Sequence, residues 1–332
     1  MKQTMRLIDG FGRTADSLRI SVTDRCNYRC TYCMPEEGMQ WLTKNLLLTF
    51  EEITRLVRIF ASLGVSKIRL TGGEPLMRKE LPTLIGMIRD AGGIADIALT
   101  TNGYFLKEQA RELARAGLRR INVSLDSLNA ATFSAMVRRE HFDKTWEGIE
   151  EAIRAGLSPV KINTVLIRGV NDHEIPAFAE LARTRPVTVR FIEFMPIGRD
   201  DGWAINKVVP SREVLERLNA CAPLVPVDDP LRNAAAETYR FADGKGEVGV
   251  ISSVTEPFCA DCNRVRITSD GKFRTCLFSL TETDLRALLR SGATDELIGG
   301  AIVDAVAHKE EGHLINRPGF VRPERTMSSI GG

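Results

Sequence analysis

Six of the seven cysteines in this 332-residue chain fall into two triplets. Cys26, Cys30 and Cys33 form a C-x3-C-x2-C run, and Cys259, Cys262 and Cys276 form C-x2-C-x13-C. Three thiolates on a short loop can converge on one metal centre. Zinc takes four ligands and its cysteine sites come as C-x2-4-C pairs, so a lone triplet needs a fourth ligand from elsewhere. An iron–sulfur cluster held by three cysteines leaves one iron open for chemistry. A zinc knuckle or a set of buried small hydrophobes are the alternatives. An electron-transfer cluster normally has four protein ligands, so a second three-cysteine set implies that substrate completes that site. Cys221 stands alone and reads as a buried or half-exposed thiol with no role.

Other residues add to the chemistry. In Asn263-Arg264-Val265-Arg266-Ile267 the alternation projects Arg264 and Arg266 onto one face of a strand. Guanidinium groups bind phosphates bidentately, and a pair beside a cluster suits a polyphosphate. Gly72-Gly73, past a strand end, lets a backbone approach a ligand closely. His141, His173, His308 and His313 fall in or near predicted helices without ligand spacing and read as structural.

These residues need a scaffold. From Leu18 to Pro196 short β-branched runs alternate with helix-period runs, the pattern of βα units and a parallel sheet. Six strands are predicted: Arg19-Val22, Lys67-Leu70, Ile94-Leu99, Ile121-Leu125, Val160-Ile167 and Val187-Phe194. Phe50-Leu63 is the clearest helix, with Ile53, Leu56, Val57 and Phe60 on one face. The fold class expected is α/β: a partial (βα)6 TIM-like barrel, or an open doubly wound sheet. Gly73, Thr100, Ser124 and Met195 then fall at or just past strand C-termini, where barrel enzymes place their sites. Arg19, Arg69 and Lys161 sit inside strands, and a strand covered by helices has little room for an unpaired charge.

After Pro196 the pattern breaks at Pro210, Pro223, Pro226 and Pro230. A second, α+β domain is expected, with boundaries at 1–210 and 211–332. Within it Glu247-Ser252 and Arg264-Thr268 read as strands, and an Asp270-Gly271 turn leads into Lys272-Leu277 as a hairpin. Helices are predicted over Thr283-Arg290 and Asp295-His308. The tail from Arg317 to Gly332 has no periodicity and reads as extended or mobile.

Composition sets outer limits. Hydrophobic residues are 43% and charged residues 27%, ordinary for a globular protein, and no run approaches the ~18 apolar residues of a membrane helix. Met1 to Asp9 lacks an apolar core of secretory length, so a cytoplasmic location is expected. Lys+Arg 45 against Asp+Glu 43 gives a net charge of +2, too little for a basic nucleic-acid-binding face. Seven cysteines in that compartment read as metal ligands or reactive thiols rather than disulfides.

The motifs also carry a resemblance. Cys26-Asn27-Tyr28-Arg29-Cys30-Thr31-Tyr32-Cys33, with an aromatic before the last cysteine, resembles the cluster loop of radical S-adenosylmethionine enzymes. Thr71-Gly72-Gly73-Glu74-Pro75 resembles their GGEP segment. Nearly the whole chain resembles the GTP 3′,8-cyclases of molybdenum cofactor biosynthesis, through Phe258 to Gly271, Cys276-Leu277-Phe278, Asp16 to Ser21, Thr100 to Gly103, Val123 to Ser127, Val160 to Asn163, Glu193 to Pro196 and Gly331-Gly332. One departure is local: the family usually has a Gly before an Arg where this chain has Arg138-Arg139.

The resemblance implies two 4Fe–4S clusters, on Cys26, Cys30 and Cys33 and on Cys259, Cys262 and Cys276, with S-adenosylmethionine at the open iron of the first. It implies a lyase in which a 5′-deoxyadenosyl radical takes the ribose 3′ hydrogen of GTP and the resulting carbon radical attacks guanine carbon 8. Tyr32, Gly73, Ser124 and Met195 match the family's S-adenosylmethionine contacts. Arg19, Arg69, Thr100, Lys161, Arg264 and Arg266 match its GTP contacts, and the second cluster's open iron would bind guanine. Gly331 and Gly332 match a tail that reaches into the active site. Implied partners are an electron donor such as flavodoxin or ferredoxin, and cyclic pyranopterin monophosphate synthase as the enzyme that receives the product; no nucleic acid or membrane is expected, and a homodimer is left open. The competing readings are a radical S-adenosylmethionine enzyme that modifies a peptide, and a non-catalytic iron–sulfur or zinc module.

Overall fold

The computed structural model describes residues 6–37, 39–197, 202–228 and 235–331. Six βα units run in order: β1 (Ser17–Ser21), α1 (Phe50–Ser62), β2 (Lys67–Thr71), α2 (Leu81–Ala91), β3 (Asp96–Thr101), α3 (Leu106–Ala116), β4 (Arg120–Ser124), α4 (Ala130–Val137), α5 (Phe142–Arg154), β5 (Val160–Leu166), α6 (Ile175–Thr184) and β6 (Val187–Glu193). Strands β1 to β6 pair in sequence and in parallel, as expected for the α/β partial barrel. Alternation decides the two faces. Leu18 and Ile20, Ile68 and Leu70, Ile97 and Leu99, Ile121 and Val123 all enter the one large apolar core, while the residues between them face away from it. Helix α1 begins where expected because Thr49 and Glu52 form a reciprocal cap on its first turn.

The rest of the chain extends this sheet at both edges. It comprises α7 (Ser211–Cys221), β7 (Leu224–Pro226), β8 (Glu237–Phe241), β9 (Glu247–Ile251), β10 (Arg264–Ile267), β11 (Lys272–Arg274), β12 (Thr283–Asp284), α8 (Leu285–Arg290), α9 (Asp295–Ala307) and α10 (Met327–Ile330). Strand β9 joins β6 in parallel and β10 joins β1 in parallel, giving the order β12-β11-β10-β1-β2-β3-β4-β5-β6-β9-β8-β7 among the described residues. The Asp270-Gly271 turn closes the β10–β11 hairpin, with Gly271 at φ +77°. The helix predicted from Thr283 starts at Leu285, because Thr283 and Asp284 pair with β11 first and the Asp284 side chain then caps Ala287 N–H at 2.9 Å.

The tail differs from its expected extended or mobile state. Its turn α10 buries Ile330 in a small cluster with Ile197, Val208, Val254, Phe278 and Ile315. A single turn is too short to show a period, so only its tertiary pocket defines it. Gly332 and Pro230 lie outside the described residues. Cys221, expected to be buried or half-exposed, is exposed at the end of α7. The departure at Arg138 also has a local reading: this residue ends α4 in the left-handed region at φ +55°, a conformation that glycine adopts without cost.

Candidate active site

A cavity of about 520 Å³ is lined by one residue after another from the inward faces of eight parallel strands, so the sheet curls around it. Its wall includes all six triplet cysteines, together with Tyr32, Gly73, Ser124, Met195, Arg19, Arg69, Thr100, Lys161, Arg264 and Arg266. Topology separates the triplets. Cys26, Cys30 and Cys33 follow β1 at its C-terminal end, whereas Cys259 and Cys262 precede β10, which runs parallel to β1. Strand β11 runs back antiparallel, so Cys276 returns to the edge that holds Cys262. One triplet therefore sits at each end of the strands, about 16 Å apart at ~3.3 Å per residue.

The first triplet rides on a loop strapped at two places. Gly73 N–H donates to Thr23 O and Glu74 N–H to Arg25 O, both at 2.7 Å, and on the other side Arg29 N–H and Thr31 N–H donate to Val137 O and Met136 O. A Cβ at Gly73 would lie 2.5 Å from Asp24 O and closer still to Arg25 O, so no other residue fits there. The buried Glu74 carboxylate anchors the strap by accepting from Leu76 N–H, Thr101 Oγ1 and Asn102 N–H at 2.7–2.9 Å. Burial nonetheless pushes its carboxyl up to about 7. Burial likewise pushes the Cys26 and Cys33 thiols up to about 12 and Cys30 well above its ordinary value. Such thiols ionise only against a metal.

Around the second triplet the field is positive. Burial opposes the Cys262 thiolate, but the Arg264 guanidinium, the Lys309 ammonium and hydrogen bonds from Arg264 prevail and bring it down to about 6. Arg264 reaches Cys262 Sγ at 3.6 Å and lies over the Phe258 ring at 4.4 Å. Gly312 passes so near Cys259 that a Cβ there would lie 2.9 Å from its Cβ. Three cysteines at either site fill only three of the four positions a zinc ion takes. Three thiols facing one cavity suit a polynuclear cluster, in which each sulfur binds a different iron and the fourth iron stays open.

Between the two ends lies a row of cations. The register sets Arg19 beside Arg266 on one side and Arg69 on the other. Lys161 of β5, Arg190 of β6 and Arg120 of β4 line the same space. Burial, then mutual repulsion, lowers Arg69 to about 9, Arg190 and Arg266 to about 10, Lys161 to about 7, and Arg19 well below its usual value. Arg120 is paired with Asp96. Among the described residues no carboxylate pairs with Arg19, Arg69, Lys161, Arg190 or Arg266. Buried charge without a partner is costly, and a polyanion would relieve it.

Several cavity residues were not singled out from sequence. Arg190 and Arg120 obey the same inward alternation as Lys161, so that rule could have found them. Asp126 accepts from Tyr32 Oη at 2.6 Å and from Val165 N–H at 2.9 Å, locking the aromatic of the cluster loop. Asn163, beside Ser124 in register, has a buried Oδ1 with no donor, an acceptor that suits a ligand's ammonium or hydroxyl. His313 lines the cavity, but its Nδ1 accepts from Ile315 N–H at 3.4 Å, in keeping with a structural role. The tail contributes Met327 and Ser328 to the wall, Ser328 N–H reaches the Cys33 sulfur, and Gly331 O accepts from Arg266 Nη1 at 2.7 Å.

The curled βα sheet with a three-cysteine loop after its first strand defines a radical S-adenosylmethionine protein. Residues 20–182 match the radical SAM superfamily, and residues 187–315 match the Molybdenum Cofactor Synthesis C family. The chain is 48% identical over 325 residues to a GTP 3′,8-cyclase of Pelotomaculum thermopropionicum, covering 98% of this chain and 99% of that one. It is 44% identical to that of Rhodopirellula baltica, with 100% and 94% covered, and 46% identical to that of Streptomyces coelicolor, with 98% and 96% covered. The chain belongs to the GTP 3′,8-cyclase family. Its cofactors are accordingly 4Fe–4S clusters and S-adenosylmethionine. The structure of Streptococcus suis SuiB bound to S-adenosylmethionine shares the fold, with a TM-score of 0.62 at 16% identity over 94% of this chain and 77% of that one. No helix among the described residues is long and apolar enough to cross a membrane.

Proposed function

We propose that the cavity binds GTP and converts it to (8S)-3′,8-cyclo-7,8-dihydroguanosine 5′-triphosphate, the first step of molybdenum cofactor biosynthesis. The observation that carries this reading is the row of buried, unpaired cations held between two three-cysteine sites. Cys26, Cys30 and Cys33 would hold a 4Fe–4S cluster that, with S-adenosylmethionine, would supply a 5′-deoxyadenosyl radical for removal of the ribose 3′ hydrogen. The chain's own residues do the positioning. Arg19, Arg69, Lys161, Arg190, Arg264 and Arg266 hold the triphosphate, and Thr100 meets the nucleoside. Tyr32, Gly73, Ser124 and Met195 hold S-adenosylmethionine at the opposite end, with Asn163 Oδ1 as a further acceptor. Cys259, Cys262 and Cys276 carry the second cluster, which receives the guanine. Curled strands and the tail keep water from the radical. A reduced flavodoxin or ferredoxin supplies the electron, cyclic pyranopterin monophosphate synthase takes the product, and the reaction is cytoplasmic. Anaerobic incubation of the reconstituted protein with GTP, S-adenosylmethionine and a reductant tests this; the absence of cyclised triphosphate by mass spectrometry, with both clusters verified, would sink it.

Lys161 makes GTP affinity depend on pH. Its ammonium is held down to about 7 in the free cavity by burial and by Arg190, Arg120 and Arg69, and a bound triphosphate raises it. Binding is therefore strongest below about 7 and weakens as pH rises toward the bound-state value, by at most about tenfold per unit. Lys161→Met should bind GTP more weakly at low pH and lose that decline. An identical decline in the variant, measured by titration calorimetry, would remove Lys161 from the phosphate site.

Gly331 and Gly332 are assigned to the radical step, after S-adenosylmethionine has bound. Gly331 has φ +88°, and a Cβ on it would lie 2.9 Å from Thr71 Cγ2, so only glycine fits where its carbonyl meets Arg266. Deleting both glycines should leave the iron and sulfide content intact while suppressing cyclised product. Full product from the truncated enzyme would return them to the status of a terminus without function.

A further inference from the structure

Lys309 belongs to no motif, yet it is 4% exposed beside the second triplet. It follows α9, and its Nζ spends all three donors locally: on Arg264 O at 2.8 Å, on Cys262 O at 3.1 Å and toward Cys262 Sγ at 3.7 Å. Among the described residues no carboxylate pairs with it. The neighbouring Glu310 turns its carboxylate to Thr275 Oγ1 and Ser279 Oγ instead. Arg13, whose charge also bears on Lys309, is paired with Asp9 at 2.6 Å and donates to the carbonyls of Cys259, Glu310 and Glu311. Lys309 is thus a buried ammonium whose anionic neighbours, among the described residues, are the sulfurs of Cys262 and Cys276.

We propose that Lys309 is a positioning residue for the second cluster, its fixed charge against Cys262 raising that cluster's reduction potential and keeping its open iron electron-poor toward the guanine. This rests on reading Cys259, Cys262 and Cys276 as a cluster site. Each electron added to a thiolate-ligated cluster increases its negative charge, so a nearby buried cation favours the reduced state, and an N–H···S contact acts in the same direction. The same withdrawal of electron density makes an open iron a stronger acceptor for a nitrogen or oxygen donor of the base.

The test uses the full-length chain with Cys26, Cys30 and Cys33 replaced by Ala, so that a potentiometric titration followed by electron paramagnetic resonance reads the second cluster alone. Lys309→Gln keeps a donor without the charge, and Lys309→Arg keeps the charge. Iron and sulfide should be unchanged in both, with the midpoint potential lowered in K309Q and near that of the parent in K309R. Loss of the cluster from K309Q while K309R holds it at the parent potential also supports the proposal, because charge is then what the thiolates need. A fully loaded K309Q at the parent potential, equal shifts in both variants, or loss of iron from both overturns it. A parent without iron would instead overturn the cluster reading, and product formation by the chain with all six cysteines tests the cyclase reading separately.

Discussion

Alanine at any one of Cys26, Cys30 or Cys33 abolishes reductive cleavage of S-adenosylmethionine while the second site keeps its iron. The loop's thiols line the cavity, and the carboxylates that act on them, Glu74 and Asp126, are already engaged by Leu76, Thr101 and Asn102 and by Tyr32 and Val165. Two thiolates cannot hold a cluster that already spends its fourth position on the cofactor. Iron and sulfide per chain should fall by half, and 5′-deoxyadenosine should drop to the level of the enzyme-free control. Normal 5′-deoxyadenosine from a Cys33→Ala protein would move the radical chemistry elsewhere.

Arg69→Met has two expected effects of opposite sign. Arg69 lies between Arg19 and the cations of β4 to β6 with no carboxylate of its own, and burial and repulsion lower its guanidinium to about 9. Losing a hydrogen bond to a charged group costs about 1.5–3 kcal/mol, so GTP should bind roughly 10- to 150-fold more weakly. Guanosine, which has no phosphate, should be nearly unaffected. The ligand-free protein should melt at a higher temperature, because an apolar side chain replaces an unpaired charge in a crowded positive row. Equal weakening of GTP and guanosine would show that Arg69 does not read phosphate, and a lower melting temperature would show that the row is not strained.

The six parallel strands were legible because each alternates a core residue with a cavity residue, and the strand ends lie within two residues of those predicted. The triplets were legible because local spacing alone defines them. What sequence hid is what depends on distant pairing. Nothing near Arg264 announces that β10 completes the β1 edge, or near Glu247 that β9 completes the β6 edge. Lys309 and Glu74 acquire their meaning only from groups that tertiary structure brings to them. Ile330 looked like part of an aperiodic tail because its pocket is built from five separate segments.

The closure of both sheet edges by late segments bears on how the chain is made. On the ribosome β1 emerges well before its outer neighbour β10, which appears only when residues 264–267 are synthesised. At about 5–20 residues per second the gap is on the order of 12–50 s. Throughout it the growing sheet presents a bare parallel β1 edge, backed by apolar residues, that invites pairing with other chains, while the β6 edge is bare only until residues 247–251 are made. Chaperone cover during translation, and iron–sulfur assembly only after the C-terminal strands have docked, follow as needs of this topology rather than of its chemistry.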